Sequence, residues 1–254
     1  MSEEPLTGGS VNEVVRVGGT VRRPTGPWTP AVHALLDHLA AKGFPYSPRA
    51  HGLDADGREI LDFIPGDVAM RPWPKVLRGD TGLRELARAL RLLADAVADF
   101  VPPPGSVWRG DALPTPGGGV RHGDLGPWNT IWDGDRLVGV IDWDFAEPAP
   151  PLWDLAQAAW YLVPLRPGWR AHGFDAEPDH RHRLGVMCQE YGAEPGDVLA
   201  ALDEMQHLER ERTARLGAEG IEPFATFLAR GDLDEFDVDT AWLAERRAGL
   251  TTRP

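Results

Sequence analysis

Residues 120–145 read Val120-Arg-His122-Gly-Asp124-Leu-Gly-Pro-Trp-Asn129-Thr-Ile131-Trp-Asp133-Gly134-Asp-Arg-Leu-Val-Gly-Val-Ile141-Asp142-Trp143-Asp144-Phe145. Two apolar runs between Ile131 and Ile141 flank Asp133-Gly134, a dipeptide that favours a tight hairpin turn. With the turn centred near Gly134, Asn129 lies across from residues 139–141. Asp142 then falls within one or two residue spacings of it, where directly opposed Cβ atoms stand about 5 Å apart. The hairpin gathers Asp124, Asn129 and Asp142 at one end. Two carboxylates and an amide oxygen, with no cysteine among them, make a hard oxygen site that suits Mg²⁺. Any one of these residues alone is ordinary turn chemistry. Their joint spacing is what distinguishes the segment.

Phosphoryl transfer from a nucleotide calls for groups of this kind. One carboxylate orients the acceptor hydroxyl and takes its proton, while an Asn oxygen and a second carboxylate hold metal ions that bridge the phosphates. The spacing His-x-Asp-x-x-x-x-Asn is that of a protein-kinase catalytic loop, followed by a metal-binding Asp after the next hairpin. Here the triplet is His122-Gly123-Asp124 and the second element is Ile141-Asp142-Trp143-Asp144. The segment resembles the aminoglycoside phosphotransferase and choline-kinase-like family, small-molecule phosphotransferases with a protein-kinase-like fold. Pro151-Leu152-Trp153-Asp154-Leu155-Ala156 resembles that family's next helix, whose Asp braces the catalytic loop. The resemblance implies Asp124 as catalytic base, His122 as the residue orienting the loop, Asn129 and Asp142 as Mg²⁺ ligands and Asp144 as an auxiliary ligand. It also implies ATP or GTP as phosphate donor.

Outward from this segment, Val14-Val15-Arg16-Val17, Gly18-Gly19 and Thr20-Val21-Arg22 read as short strands joined by a tight turn. A helix follows from Thr29-Pro30, with Val32, Leu35, Leu36 and Leu39 at helical spacing until Gly43. A strand pair is expected from Ala50 to Gly66 around the turn at residues 54–57. Beyond the Pro/Gly-rich connection 72–82 the character becomes helical: Leu83, Leu86, Ala87, Leu90, Leu93, Ala94 and Val97 recur at three and four. Further helices are expected at 152–163, 181–191, 197–216 and 239–247. The expectation is an α+β, bilobal, protein-kinase-like fold. Residues 1–66 form a small N-terminal antiparallel sheet with one helix, the nucleotide-binding lobe, and 67–254 a larger, mainly helical catalytic and substrate-binding lobe.

The resemblance places a glycine-rich turn over the nucleotide phosphates, for which Gly8-Gly9-Ser10 is the candidate, and a main-chain hinge for the base, which fits Asp62, Phe63 and Ile64. It also places a lysine on the third strand. Lysine occurs only at Lys42 and Lys75 among the 26 basic residues, and the other 24 are arginine. Neither lysine falls on a strand, so Arg22 is the first candidate for the phosphate clamp and Arg23 the second. The helix from Pro30 to Lys42 has no glutamate to pair with such a residue; His33 and Asp37 are the polar residues nearest the expected place.

A formal charge of -13 and the absence of a dense basic run argue against nucleic acid and anionic membrane as partners. The acids of the late helices allow a cationic acceptor, such as an aminoglycoside or amino alcohol, although Glu209 and Glu211 interleave with Arg210, Arg212 and Arg215 as on a solvated helix face. One cysteine, Cys188, excludes an intrachain disulfide and suits a reducing compartment. The acidic N-terminus has no apolar segment behind it, and a cytoplasmic location is expected. The tryptophans at 128, 132, 143, 153 and 160 are expected in the core, with one of them bordering a pocket. The leading function is an Mg-nucleotide-dependent kinase of a small-molecule hydroxyl, with antibiotic resistance as the family's theme. The alternative is a catalytically weak or inactive self-protection protein on the same fold, suggested by the missing strand lysine and helix glutamate.

Overall fold

The computed structural model describes residues 3–6, 14–110 and 119–251. In chain order these form β1 (Glu4–Pro5), β2 (Val15–Val17), β3 (Thr20–Arg23), α1 (Thr29–Ala41), β4 (Ala50–Leu53), β5 (Glu59–Asp62), β6 (Asp67–Val68), α2 (Lys75–Arg78) and α3 (Asp80–Val97). There follow β7 (Val120–Arg121), β8 (Thr130–Asp133), β9 (Arg136–Val140), β10 (Glu147–Pro148), α4 (Trp153–Leu162), α5 (His180–Tyr191), α6 (Pro195–Ala218), α7 (Phe224–Arg230) and α8 (Asp232–Thr251). The chain groups into two compact units, residues 1–70 with 89–151 and residues 71–88 with 152–254.

In the first unit, an antiparallel sheet runs in the order β1-β2-β3-β5-β4. Gly18, with φ +63°, makes the turn between β2 and β3, a conformation that glycine adopts without a steric cost. The register of β3 on β5 pairs Val21 with Leu61 and Arg23 with Glu59, so these four residues share one face of the sheet. Helix α1 buries Val32, Leu35, Leu36 and Leu39. The hairpin anticipated around Gly134 is present: Thr130 pairs with Val140 and Asp133 with Arg136, leaving Gly134-Asp135 as the two-residue loop. Two pairings were not legible. Strand β6 adds to the outer edge of β8, and β7 pairs with β10. The latter sets Arg121 beside Glu147, a buried ion pair at 2.5 Å that closes the two ends of the segment on each other.

In the second unit, α6 packs against α4, α7 and α8. Leu184, Met187, Val198, Leu199, Leu202, Met205 and Leu243 are buried there. The connection 72–82 contains α2, and the last helices are longer than their apolar spacing suggested, since α8 begins at Asp232 and α7 precedes it. Cys188 is buried among apolar side chains, which pushes its thiol up to about 12 and makes it a packing residue. Many acids of this unit are taken up by arginines: Glu190 by Arg84 and Arg88, Asp203 by Arg247, Asp232 by Arg230 and Asp237 by Arg210. No helix among the described residues is long and apolar enough to cross a membrane.

Asp239 of α8 is 1% exposed, accepts the Trp160 indole N–H at 2.9 Å and lies 3.2 Å from Arg166. Burial pushes its carboxyl up to about 6, against the pull of Arg166 and Trp160. A raised carboxyl contributes most when protonated, and ionising it costs stability as pH climbs from the unfolded value near 4 to about 6. Asp239→Asn keeps an oxygen for Trp160 and removes the charge. The variant is therefore expected to gain on the wild type by roughly 2 kcal/mol between pH 4.5 and pH 8, measured as the change in the difference of their melting temperatures. A difference that stays constant with pH contradicts this.

Candidate active site

The segment 120–145 enters through β7 and leaves into a short 3-10 turn at residues 143–145, all within the first unit. His122 is fully buried, and its ring fixes the loop between two backbone groups. Nδ1 accepts the amide N–H of Asp124 at 3.2 Å, so that nitrogen carries no proton; Nε2 therefore bears it and donates to the Ile141 carbonyl at 2.9 Å. This neutral tautomer ties residues 122–124 to the end of β9. Gly123, at φ +83°, follows the histidine, and a Cβ there would overlap the Phe145 carbonyl oxygen.

Asp124 is half-buried. Its Oδ2 accepts the Asn129 side-chain amide N–H at 2.9 Å, and its carbonyl accepts the same nitrogen at 2.8 Å. With the nitrogen turned to Asp124, Oδ1 is the end of the Asn129 amide that remains for a cation. Asn129 lies across from Ile141, whose N–H donates to the Asn129 carbonyl at 2.9 Å, so Asp142 follows directly on the residue facing Asn129. Trp128 borders the acid, its indole nitrogen 3.4 Å from Asp124 Oδ2. Of the tryptophans in this stretch it is the half-buried one, Trp132 and Trp143 being core.

Asp142 holds a left-handed backbone, φ 62° and ψ 66°, which aspartate tolerates better than most residues but at a steric cost. Its side chain is 41% exposed, against 6% for Asp144. Both face Arg23. The Arg23 guanidinium donates through Nη1 to Asp142 Oδ1 at 3.0 Å and through Nη2 to Asp144 Oδ1, and its Nε lies 2.6 Å from Glu59 Oε1. Glu59 in turn meets His33 Nε2 of α1 at 2.9 Å. Asp144 also accepts from Arg109 Nη1 at 2.9 Å, so both of its oxygens are engaged by arginines. Burial works to lower the Arg23 pKa, but Asp144, Asp142 and Glu59 overcome it and hold the group protonated. Burial also pushes Asp144 up to about 6, with the two arginines pulling it back.

Asp124, Asn129, His122, Asp142 and Asp144 are thus brought together, but Arg22 is not. It points to the other face of β3, bonded to Thr20 Oγ1 at 2.7 Å and 3.7 Å from Asp54. Strand parity carried the missed signal: Val21 and Arg23 alternate with Arg22, so the arginine on the apolar face is Arg23. Glu59 and Arg109 were missed because nothing local marks them. Asp37 is exposed. At the expected hinge, the N–H groups of Asp62 and Phe63 donate to Arg49 and Gly19 carbonyls, the Phe63 ring carries the Arg16 guanidinium at 3.9 Å, and Ile64 packs on Gly139. Gly8, Gly9 and Ser10 lie outside the described residues. No three His, Cys, Asp or Glu side chains among the described residues cluster as a metal cage. The donors Asn129 Oδ1 and the exposed Asp142 carboxylate instead fit an Mg²⁺ that takes its other ligands from phosphates and water.

Residues 107–186 match the APH family, described as the phosphotransferase enzyme family. The chain is 41% identical over 195 residues to the trifolitoxin immunity protein of Rhizobium leguminosarum bv. trifolii, spanning 74% of this chain and 73% of that protein. The chain belongs to the APH phosphotransferase family. It is also 35% identical to the viomycin phosphotransferase of Streptomyces vinaceus over 126 residues, 48% of this chain and 37% of that one. An amicoumacin kinase solved with AMP-PNP, Ca²⁺ and Ami shares the fold at a TM-score of 0.64 and 10% identity, over 98% of this chain and 87% of that chain. The α+β, kinase-like fold expected from the catalytic segment is therefore the fold of this family member.

The glycine of the His-Gly-Asp triplet makes the loop testable without ligands. Gly123→Ala combines a left-handed backbone with an overlap on Phe145, and such strain is worth about 1–3 kcal/mol before any clash is relieved. The variant is expected to melt several degrees lower, with faster amide exchange across residues 120–145. An unchanged melting temperature contradicts the close approach.

Proposed function

We propose that the protein is a nucleotide-dependent phosphotransferase that moves the γ-phosphoryl group of ATP or GTP onto a hydroxyl of a small molecule of the antibiotic class. The observation that carries this reading is that Asp124 is bonded to Asn129 while Asp142 follows directly on the residue facing Asn129, at one end of the β8–β9 hairpin. Asp124 accepts the proton of the acceptor hydroxyl as the oxygen attacks phosphorus; the bond from phosphorus to the β–γ bridging oxygen breaks, the nucleoside diphosphate leaves, and the proton passes to solvent. Asn129 holds Asp124 by its amide N–H, which leaves its oxygen as the end that would face a cation. Asn129 and Asp142 would hold Mg²⁺, which supplies charge neutralisation along the phosphates. His122 keeps the loop in register and does not exchange protons. Arg23, rather than Arg22, takes the phosphate-clamp role, because its guanidinium is the one at the acidic cluster. The viomycin phosphotransferase and the amicoumacin kinase support an antibiotic as acceptor. A strongly cationic acceptor gains little support from the late helices, whose acids are largely ion-paired.

A relative named an immunity protein favours a second reading, in which the same fold protects by binding without turnover. Asp124→Ala separates the two. In the first reading it lowers phosphate transfer at least a thousandfold, leaves the melting temperature within about 2 °C and keeps nucleotide binding. The measurement is nucleotide consumption over a panel of antibiotics and amino alcohols, with mass spectrometry for a gain of one phosphoryl group. Protection of cells that survives Asp124→Ala supports the second reading and overturns the first.

A further inference from the structure

Arg109 was not marked by any sequence pattern, yet its surroundings are built. Its side chain is 10% exposed, and its guanidinium lies 4.5 Å from the Trp28 ring centroid and 4.8 Å from that of Phe145. Two aromatic faces and one hydrogen bond, Nη1 to Asp144 Oδ2 at 2.9 Å, fix a flat cation in position and orientation. The other oxygen of Asp144 receives Arg23 Nη2. A continuous set of contacts thus runs from Trp28 and Phe145 through Arg109 and Asp144 to Arg23.

On the far side, Glu59 lies against Arg23 Nε and is itself held by His33. Two of the three carboxylates around Arg23 are therefore braced by a second partner. The third, Asp142, is the exposed one, and it occupies Arg23 Nη1. We infer that Arg109 is a positioning residue: through Asp144 it holds the Arg23 guanidinium so that Nη1 is presented to a nucleotide phosphate when Asp142 turns to the cation. This rests on the phosphotransferase reading above. It also gives Asp144 the role of an anchor between two arginines, because neither of its oxygens is left for a metal.

The roles separate by binding, without turnover. Calorimetry with AMP-PNP, or with GMP-PNP where the wild type prefers it, and Mg²⁺ is run on the full chain and on Arg23→Ala, Arg109→Ala and the double variant. Loss of Arg109 is expected to weaken binding of that analogue about tenfold, within the worth of a charged hydrogen bond. The double variant is expected to bind no more weakly than Arg23→Ala, because Arg109 acts through Arg23. Should Arg109→Ala fail to fold, Arg109→Met, which keeps apolar contact with the two rings but loses the donor to Asp144, carries the same comparison. If the wild type binds the analogue and the Arg109 variants bind it equally well, or if the two losses add, the inference is overturned. A wild type that binds neither AMP-PNP nor GMP-PNP in the presence of Mg²⁺ overturns the phosphotransferase reading itself.

Discussion

An arginine with 6% of its surface exposed must find its counter-charges inside the protein, and Arg23 has three beside it. An unpaired buried cation costs several kcal/mol, so the arrangement depends on the buried acids Glu59 and Asp144, with the exposed Asp142 adding a third contact. That requirement constrains the rest of the first unit. The register of β3 on β5 has to set Arg23 opposite Glu59, α1 has to bring His33 to the same acid, and the turn after β9 has to deliver two aspartates. The left-handed backbone of Asp142 fits this demand: local strain is tolerated where surrounding charges over-determine the conformation.

Legibility in the sequence follows the range of the interactions. The β8–β9 hairpin was readable because its turn chemistry and its alternation lie within a dozen residues, and Asp124, Asn129 and Asp142 came with it. Helix α1 and most of the later helices were readable from apolar spacing. Arg23 was only half readable. Its partners on the acidic turn are 119 and 121 residues away, and the choice between adjacent arginines turns on which face of a four-residue strand packs inward. Arg109 and Glu59 had no local signal, since each is defined by charges contributed from elsewhere in the chain. The two-residue strands β6, β7 and β10 are too short for periodicity to show, and they exist because a neighbour offers an edge.

The scarcity of lysine has a structural counterpart. Buried cationic side chains here are arginines that satisfy several acceptors at once. Arg183 donates to the carbonyls of Leu77, Arg78 and Leu162, and burial among them lowers its pKa to about 10 without removing its charge at neutral pH. Arg121 meets Glu147 through two nitrogens. A planar fork with five N–H donors can bridge groups at fixed angles, whereas an ammonium is a point charge with three. Arg23 uses the same property toward Asp142 and Asp144, since a lysine at its position could not meet the two acids with separately directed nitrogens.

Charge counting then connects the clamp to the cation. Four carboxylates, Asp124, Asp142, Asp144 and Glu59, stand against two guanidiniums, Arg23 and Arg109. The remainder is two negative charges, the charge of one divalent ion. A metal carried in by a nucleotide would therefore enter a site whose arginines are already compensated by Asp144 and Glu59, and Asp142 can leave Arg23 without stranding a buried cation. If Asp144 were instead a metal ligand, both arginines would lose a counter-charge at once. The electrostatics of this chain thus favour a division of labour between adjacent acids, in which the exposed one meets the cation and the buried one keeps the arginines in place.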